Sequence, residues 1–242
     1  MKKSLMVFAV TLFAASAHAQ MQIVTTPVYR GATDRGGFSI GPRYSNYATD
    51  LDIGIDTIES GRQHAFGLVG DYRSGVFVLD FNWDHDPENG LQFTDLLPID
   101  FGRYERDRAE FTVGWSALPV LDLQAGFRTD TFSVGSGDFF GGDDFDHSAI
   151  VFGVNVHTPT RKPFGVYGKA RAFVGSVDFG GNSFQGQVDS EGIRLEGGVE
   201  IPIGDSNWHA VPGIEIERLE ADPRVNVDTN RFFVNFVYSF QR

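Results

Sequence analysis

From about residue 37 to the end of the chain, apolar and polar residues alternate with period two. That is the period of a β-strand, whose successive side chains point to opposite faces. Phe77, Leu79, Phe81 and Trp83 stand against Val78, Asp80, Asn82 and Asp84. Phe111, Val113 and Trp115 alternate with Glu110, Thr112 and Gly114, and Leu121, Leu123, Ala125 and Phe127 with Asp122, Gln124, Gly126 and Arg128. Ile193 to Ile201, Trp208 to Ile216 and Phe232 to Phe240 repeat the pattern, and weaker copies lie near 37–47, 62–73, 147–157 and 164–177. The pattern predicts ten strands.

The connections between these strands are of two kinds. Short ones fall at Arg73-Ser74-Gly75, Ser116 to Pro119, Thr158 to Pro163 and Gly204 to Asn207. Long ones fall near 48–61, 85–102, 131–146, 178–190 and 220–229. Short and long alternate along the chain, which a soluble sandwich has no reason to do. A transmembrane barrel does, because its periplasmic turns are short and its outer loops long. The expected fold is therefore all-β, a closed antiparallel transmembrane β-barrel of ten strands with both termini on the periplasmic side.

Alternation alone leaves open which face is inside, since a lipocalin-like barrel with an apolar lumen has the same period. Three features select the membrane barrel. Several strands run to ten or more residues, where soluble strands average about five or six and membrane strands need ~9–11. Trp83, Trp115 and Trp208 all lie on the apolar face near strand ends, as two interfacial girdles would place them. The polar face carries both charge signs at mid-strand. Its bases are Arg43, Arg106, Arg108, Arg128, Lys169, Arg171, Arg194 and Arg231; its acids are Asp71, Asp80, Glu110, Asp122, Glu196, Glu200, Glu215 and Glu217. Charges that deep persist only if paired or wetted, so the polar face should line the lumen. The glycines on that face (Gly67, Gly114, Gly126, Gly153, Gly198, Gly213) are expected to make room for long Arg and Glu side chains.

The N-terminus adds an address. Lys2 and Lys3 precede an apolar run from Leu5 to Ala15, followed by Ala17-His18-Ala19. A basic start, a short apolar core and a small-x-small site mark a signal peptide over 1–19, cleaved before Gln20. Residues 20–36 lack strand-length alternation and read as a periplasmic or luminal segment, leaving 37–242 for the barrel. There is no Cys, hence no disulfide framework and no thiol chemistry. With 23 Phe the chain is too aromatic to be a disordered acidic one. A net charge of -12 excludes nucleic acid as a partner, since phosphates demand clustered bases. Much of that negative charge falls in the long connections (Asp50, Asp52, Asp56, Glu59, Asp95 and Asp228 among them), where Arg224 is nearly the only base.

The last strand, Phe232-Phe-Val-Asn-Phe-Val-Tyr-Ser-Phe240, resembles the aromatic C-terminal signal of small Gram-negative outer-membrane β-barrel proteins. The resemblance covers roughly residues 37–242. It implies the cell outer membrane as location, lipid and lipopolysaccharide as surroundings, and barrel-assembly machinery as the partner reading the last strand. Here Gln241 and Arg242 follow the final aromatic, where the usual pattern ends on it.

Omptin proteases are also ten-stranded, and in that family an Asp pair in the second outer loop faces an Asp-His pair in the fourth. Asp84-His85-Asp86 superficially matches the first pair, at the entry to the second long loop. The fourth long loop contains no His, and Asp146-His147 lies in the third, on adjacent residues. A lipid hydrolase needs Ser and His on one face, yet His147 and Ser148 alternate faces. His64, His157 and His209 complete no triad. No catalytic residue is assigned. Asp138, Asp143, Asp144 and Asp146, set among glycines, offer the oxygen ligands and turns of a loop-bound Ca²⁺ site, with a solvated acidic loop as the simpler reading. The expected role is structural or interactive, or that of a very narrow pore, without enzymatic chemistry. The alternatives are a channel for small or cationic solutes and an outer-membrane hydrolase.

Overall fold

A computed structural model describes residues 37–52, 57–59, 62–92, 100–134, 143–158, 164–180, 185–221 and 225–241. The expected signal peptide over 1–19, the segment 20–36 and Asp138 lie outside them. Among the described residues eleven strands run in chain order: β1 (Gly37–Asp52), β2 (Thr57–Glu59), β3 (Gln63–Ser74), β4 (Phe77–Gln92), β5 (Asp100–Leu118), β6 (Leu121–Val134), β7 (Asp143–His157), β8 (Gly165–Gly180), β9 (Gln185–Pro202), β10 (Trp208–Ala221) and β11 (Val225–Gln241). Each long strand pairs antiparallel with its sequence neighbour, and β11 returns to β1 from Gly37↔Gln241 to Asp52↔Asn226. Ten strands thus close a barrel. The short β2 only folds back on the end of β1, Leu51 pairing with Ile58.

All ten expected strands are present, and among the described residues the short turns fall at or beside the positions the sequence gives them. Ser74 pairs with Phe77 across Gly75-Val76, and Gly75 takes φ 58°, the left-handed conformation that glycine adopts without a steric penalty. The long connections are shorter than expected. β1 continues to Asp52, β4 to Gln92 and β6 to Val134, while β7 already begins at Asp143. Once two strands are in register, each further pair satisfies backbone groups whatever its side chains, so the ladder outruns the apolar pattern.

The facing is inside-out. Phe81, Phe111, Phe127, Phe152, Ile214 and Phe232 stand on the outer wall, Phe127 with 68% of its surface exposed. An apolar wall of this extent belongs against lipid. Inside lie Arg43, Arg106, Arg108, Arg128, Arg171, Arg194 and Arg231 with Glu110, Asp122, Glu215 and Glu217, all buried. An apolar lumen of the lipocalin kind is excluded.

The inward glycines have mixed roles. An added Cβ at Gly153 would press on Arg171, as expected, but at Gly198 it would meet the Tyr167 ring and at Gly213 the Phe233 ring. At Gly126 it would strike the backbone of Phe111 and Thr112. Rings and neighbouring backbone, more than Arg and Glu, use the space these glycines leave.

Candidate functional site

The lumen is the densest constellation of chemical groups in the barrel, and the strands build it by parity. On β5 the inward positions include Arg106, Arg108, Glu110 and Thr112; on β10 they include Glu215 and Glu217. In the ring order, β5 and β10 stand five strands apart among ten, directly opposite. Arg108 spans that distance. Its Nη1 donates to Glu215 Oε1 at 2.9 Å and Glu217 Oε2 at 3.3 Å, while its Nη2 donates to Asp84 Oδ2 at 2.6 Å.

The same acids gather further cations. Arg231 Nη1 reaches Asp84 at 2.7 Å, and Arg43 Nη2 reaches Glu215 at 3.3 Å. Arg128 donates twice to Glu217, both at 2.7 Å, and binds Asp130 at 2.6 Å. Arg106 joins Asp130 at 2.7 Å. Arg171 and Arg194 both pair with Glu110. Several guanidinium groups also lie over rings: Arg43 over Phe233 at 4.0 Å, Arg128 over Phe173 at 4.7 Å and Arg231 over Tyr47 at 5.0 Å. Charge-assisted bonds and ring faces together offset the cost of taking these guanidinium groups out of water.

Toward the turn end the contacts change. Asp80 accepts from Lys169 at 3.1 Å and Gln124 at 2.5 Å, and Tyr167 Oη donates to Glu196 at 2.9 Å. At the rim, Asp122 accepts from Arg73 at 2.7 Å and Ser116 at 2.6 Å, with His157 Nε2 3.5 Å away. His209 Nδ1 lies 3.1 Å from Glu200.

The sequence-derived candidates separate as follows. Asp84 and Asp86 do not form a loop entry. β4 continues past them, so both face the lumen, Asp84 among three arginines and Asp86 accepting from the Tyr47 hydroxyl. His85 between them faces outward. His147 and Ser148 fall on opposite faces of β7, as expected. His147 lies in β7 and pairs with Asp130 at 2.9 Å, fully buried. Asp143 and Asp144 open β7, and Asp146 is exposed on its outer face. Asp84, Asp86 and Asp130 add to the luminal charges expected from the sequence; parity with Phe81 and Trp83, or with Arg128, points each of them inward.

One metal-competent group appears among the described residues: His85, Glu105 and Asp107, half-buried on the outer wall at the loop end of β4 and β5.

Solved structures with the same architecture are outer-membrane barrels. The outer membrane protease OmpT from Escherichia coli superimposes with a TM-score of 0.51 at 8% identity, over 87% of this chain and 97% of that one. The beta domain of the Bordetella autotransporter BrkA gives 0.47 at 14%, over 84% and 100%. The translocator domain of the autotransporter NalP from Neisseria meningitidis gives 0.46 at 12%, over 94% and 98%. No protein-family model matches the chain. No curated protein matches it in sequence. What OmpT shares with this chain is the fold, a closed barrel of the outer-membrane type.

Proposed function

We propose that this chain is an outer-membrane barrel with a structural or interaction role, whose lumen is an internal brace and neither a passage nor an active site. The observation that carries this reading is Arg108, which ties Asp84 on one wall to Glu215 and Glu217 on the opposite wall. Solute crossing there must displace bonds between fully buried charges, and breaking such a pair costs about 3–5 kcal/mol. The acids that superficially match the omptin pair are held by arginines and a tyrosine, which supports a role without catalysis. Location in the outer membrane is supported by the inside-out facing and by the barrel fold. The closing strand β11, with Phe232, Phe236 and Phe240 outward, is the segment presented to barrel-assembly machinery.

Planar-bilayer recording of the refolded protein tests the reading. The native barrel should be electrically silent, and Arg108→Ala with Glu217→Ala should produce discrete current steps. Stable steps from the native barrel would instead assign it to small-solute channels.

A further inference from the structure

The outer wall of β5 changes character at one point. Trp115, Val113, Phe111 and Ala109 make an apolar run toward the loop end, and the next two outward residues are Asp107 and Glu105. On β4 the corresponding run ends with Trp83, and the next outward residue is His85. The register pairs His85 with Asp107, so the two strands place an imidazole and two carboxylates together at the edge of the apolar belt.

Their geometry is that of a ligand set. His85 Nδ1 lies 3.0 Å from Asp107 Oδ1 and 3.9 Å from Glu105 Oε1. All three candidate ligand atoms fall within 4.8 Å of one another. Nitrogen and oxygen ligands about a tetrahedral Zn²⁺ sit at ~2.0–2.2 Å, hence roughly 3.3–3.6 Å apart. The observed separations flank that spacing. The Trp83 ring stacks on the His85 ring, 6.2 Å between centroids and 13° from parallel, which restricts the imidazole's orientation.

Charge points the same way. Two carboxylates beside one imidazole leave net negative charge at the rim of an apolar wall, even when the imidazole is protonated. A divalent ion with neutral imidazole cancels it. The mixed N,O set suits Zn²⁺ better than Ca²⁺ or Mg²⁺, which take oxygen ligands. The three side chains are 37%, 44% and 48% exposed, so coordination positions stay open on the outward side. We infer that His85, Glu105 and Asp107 form a divalent transition-metal site, of Zn²⁺ type, on the outer rim of the barrel. The site stands whether or not the lumen conducts, so channel recordings leave it untouched.

Calorimetric titration of the refolded full chain with ZnCl₂ tests it, with CaCl₂ and matched NaCl as references. One Zn²⁺ should bind per barrel. His85→Ala, and separately Glu105→Gln with Asp107→Asn, should each weaken binding at least about tenfold. His64→Ala, which removes another outward histidine, should leave it unchanged. Equal Zn²⁺ affinity in the native and His85→Ala proteins, or loss on His64→Ala, would overturn the assignment. A second readout leaves the site intact. In a Trp115→Phe, Trp208→Phe background, Cu²⁺ should quench the remaining Trp83 fluorescence saturably, and no saturable quenching would also overturn it.

Discussion

The two halves of the lumen are built from the same residue types and differ in how they close. In the loop-side half, Arg106, Arg108, Arg128, Arg194 and Arg231 are almost wholly buried, and besides nearer acids each reaches one on a strand several places away around the ring. In the turn-side half, Arg73 and His157 each keep 23% of their side chains exposed around Asp122, and Lys169 keeps 20% beside Asp80. The loop side is a brace that ties opposite walls; the turn side is a wetter layer in which rings fill part of the space. The same ion pair therefore differs in worth with depth, because water competes for partners at the rim and cannot at the brace.

The sharpest test removes one node of the brace. Glu217 contacts Arg106, Arg108, Arg128 and Arg194, so Glu217→Ala strands several guanidinium groups at once. It should lower unfolding stability by about 3–5 kcal/mol in denaturant titrations of the refolded barrel. At the turn side, Asp122→Asn removes the charged partner of Arg73, which can turn toward water. The loss there should be about 1.5–3 kcal/mol, the worth of hydrogen bonds to a charged group. Equal losses at the two sites would erase the distinction between the halves.

How much of this was legible in the sequence follows from the same contrast. Parity is local information. Phe111 outward makes Glu110 inward, and all sixteen mid-strand charges read as luminal do face the lumen. The partners of those charges are not local. Whether Arg108 meets Glu215 depends on which strand stands opposite and on the accumulated stagger around the ring, neither of which alternation encodes. Asp86 and Asp130 lie past the point where the apolar pattern fades, although backbone pairing continues beyond it. The His85, Glu105 and Asp107 group is not legible in the sequence because its members, on strands joined through a long connection, meet only through cross-strand register.

Sterics give a second handle on the turn side. The three heavy atoms nearest to a Cβ at Gly198 all belong to the Tyr167 phenol. Gly198→Ala should cost about 1–3 kcal/mol by overpacking. Combined with Tyr167→Ala the two losses should fall short of their sum, since the ring that collides is gone. Additive losses would show that the ring does not fill that layer.

The smallest effect is expected where the same charges lie outside the barrel. Arg218 on the outer face of β10 has Nε 3.6 Å from Glu220 and 3.5 Å from Asp228, the residue opposite it on β11. These separations resemble the longer contacts of the brace, such as Arg43 Nε to Asp84 at 3.8 Å. Distance alone would therefore rank them together. Exposure separates them, because the Arg218 side chain is 59% exposed and its acids are solvated whether or not it is present. Arg218→Ala should then change stability by less than about 0.5 kcal/mol, and raised salt should abolish even that. Denaturant titrations of the native and Arg218→Ala barrels at low and high NaCl measure it. A loss comparable to Glu217→Ala would mean that proximity of charges, and not their removal from water, sets the strength of the brace.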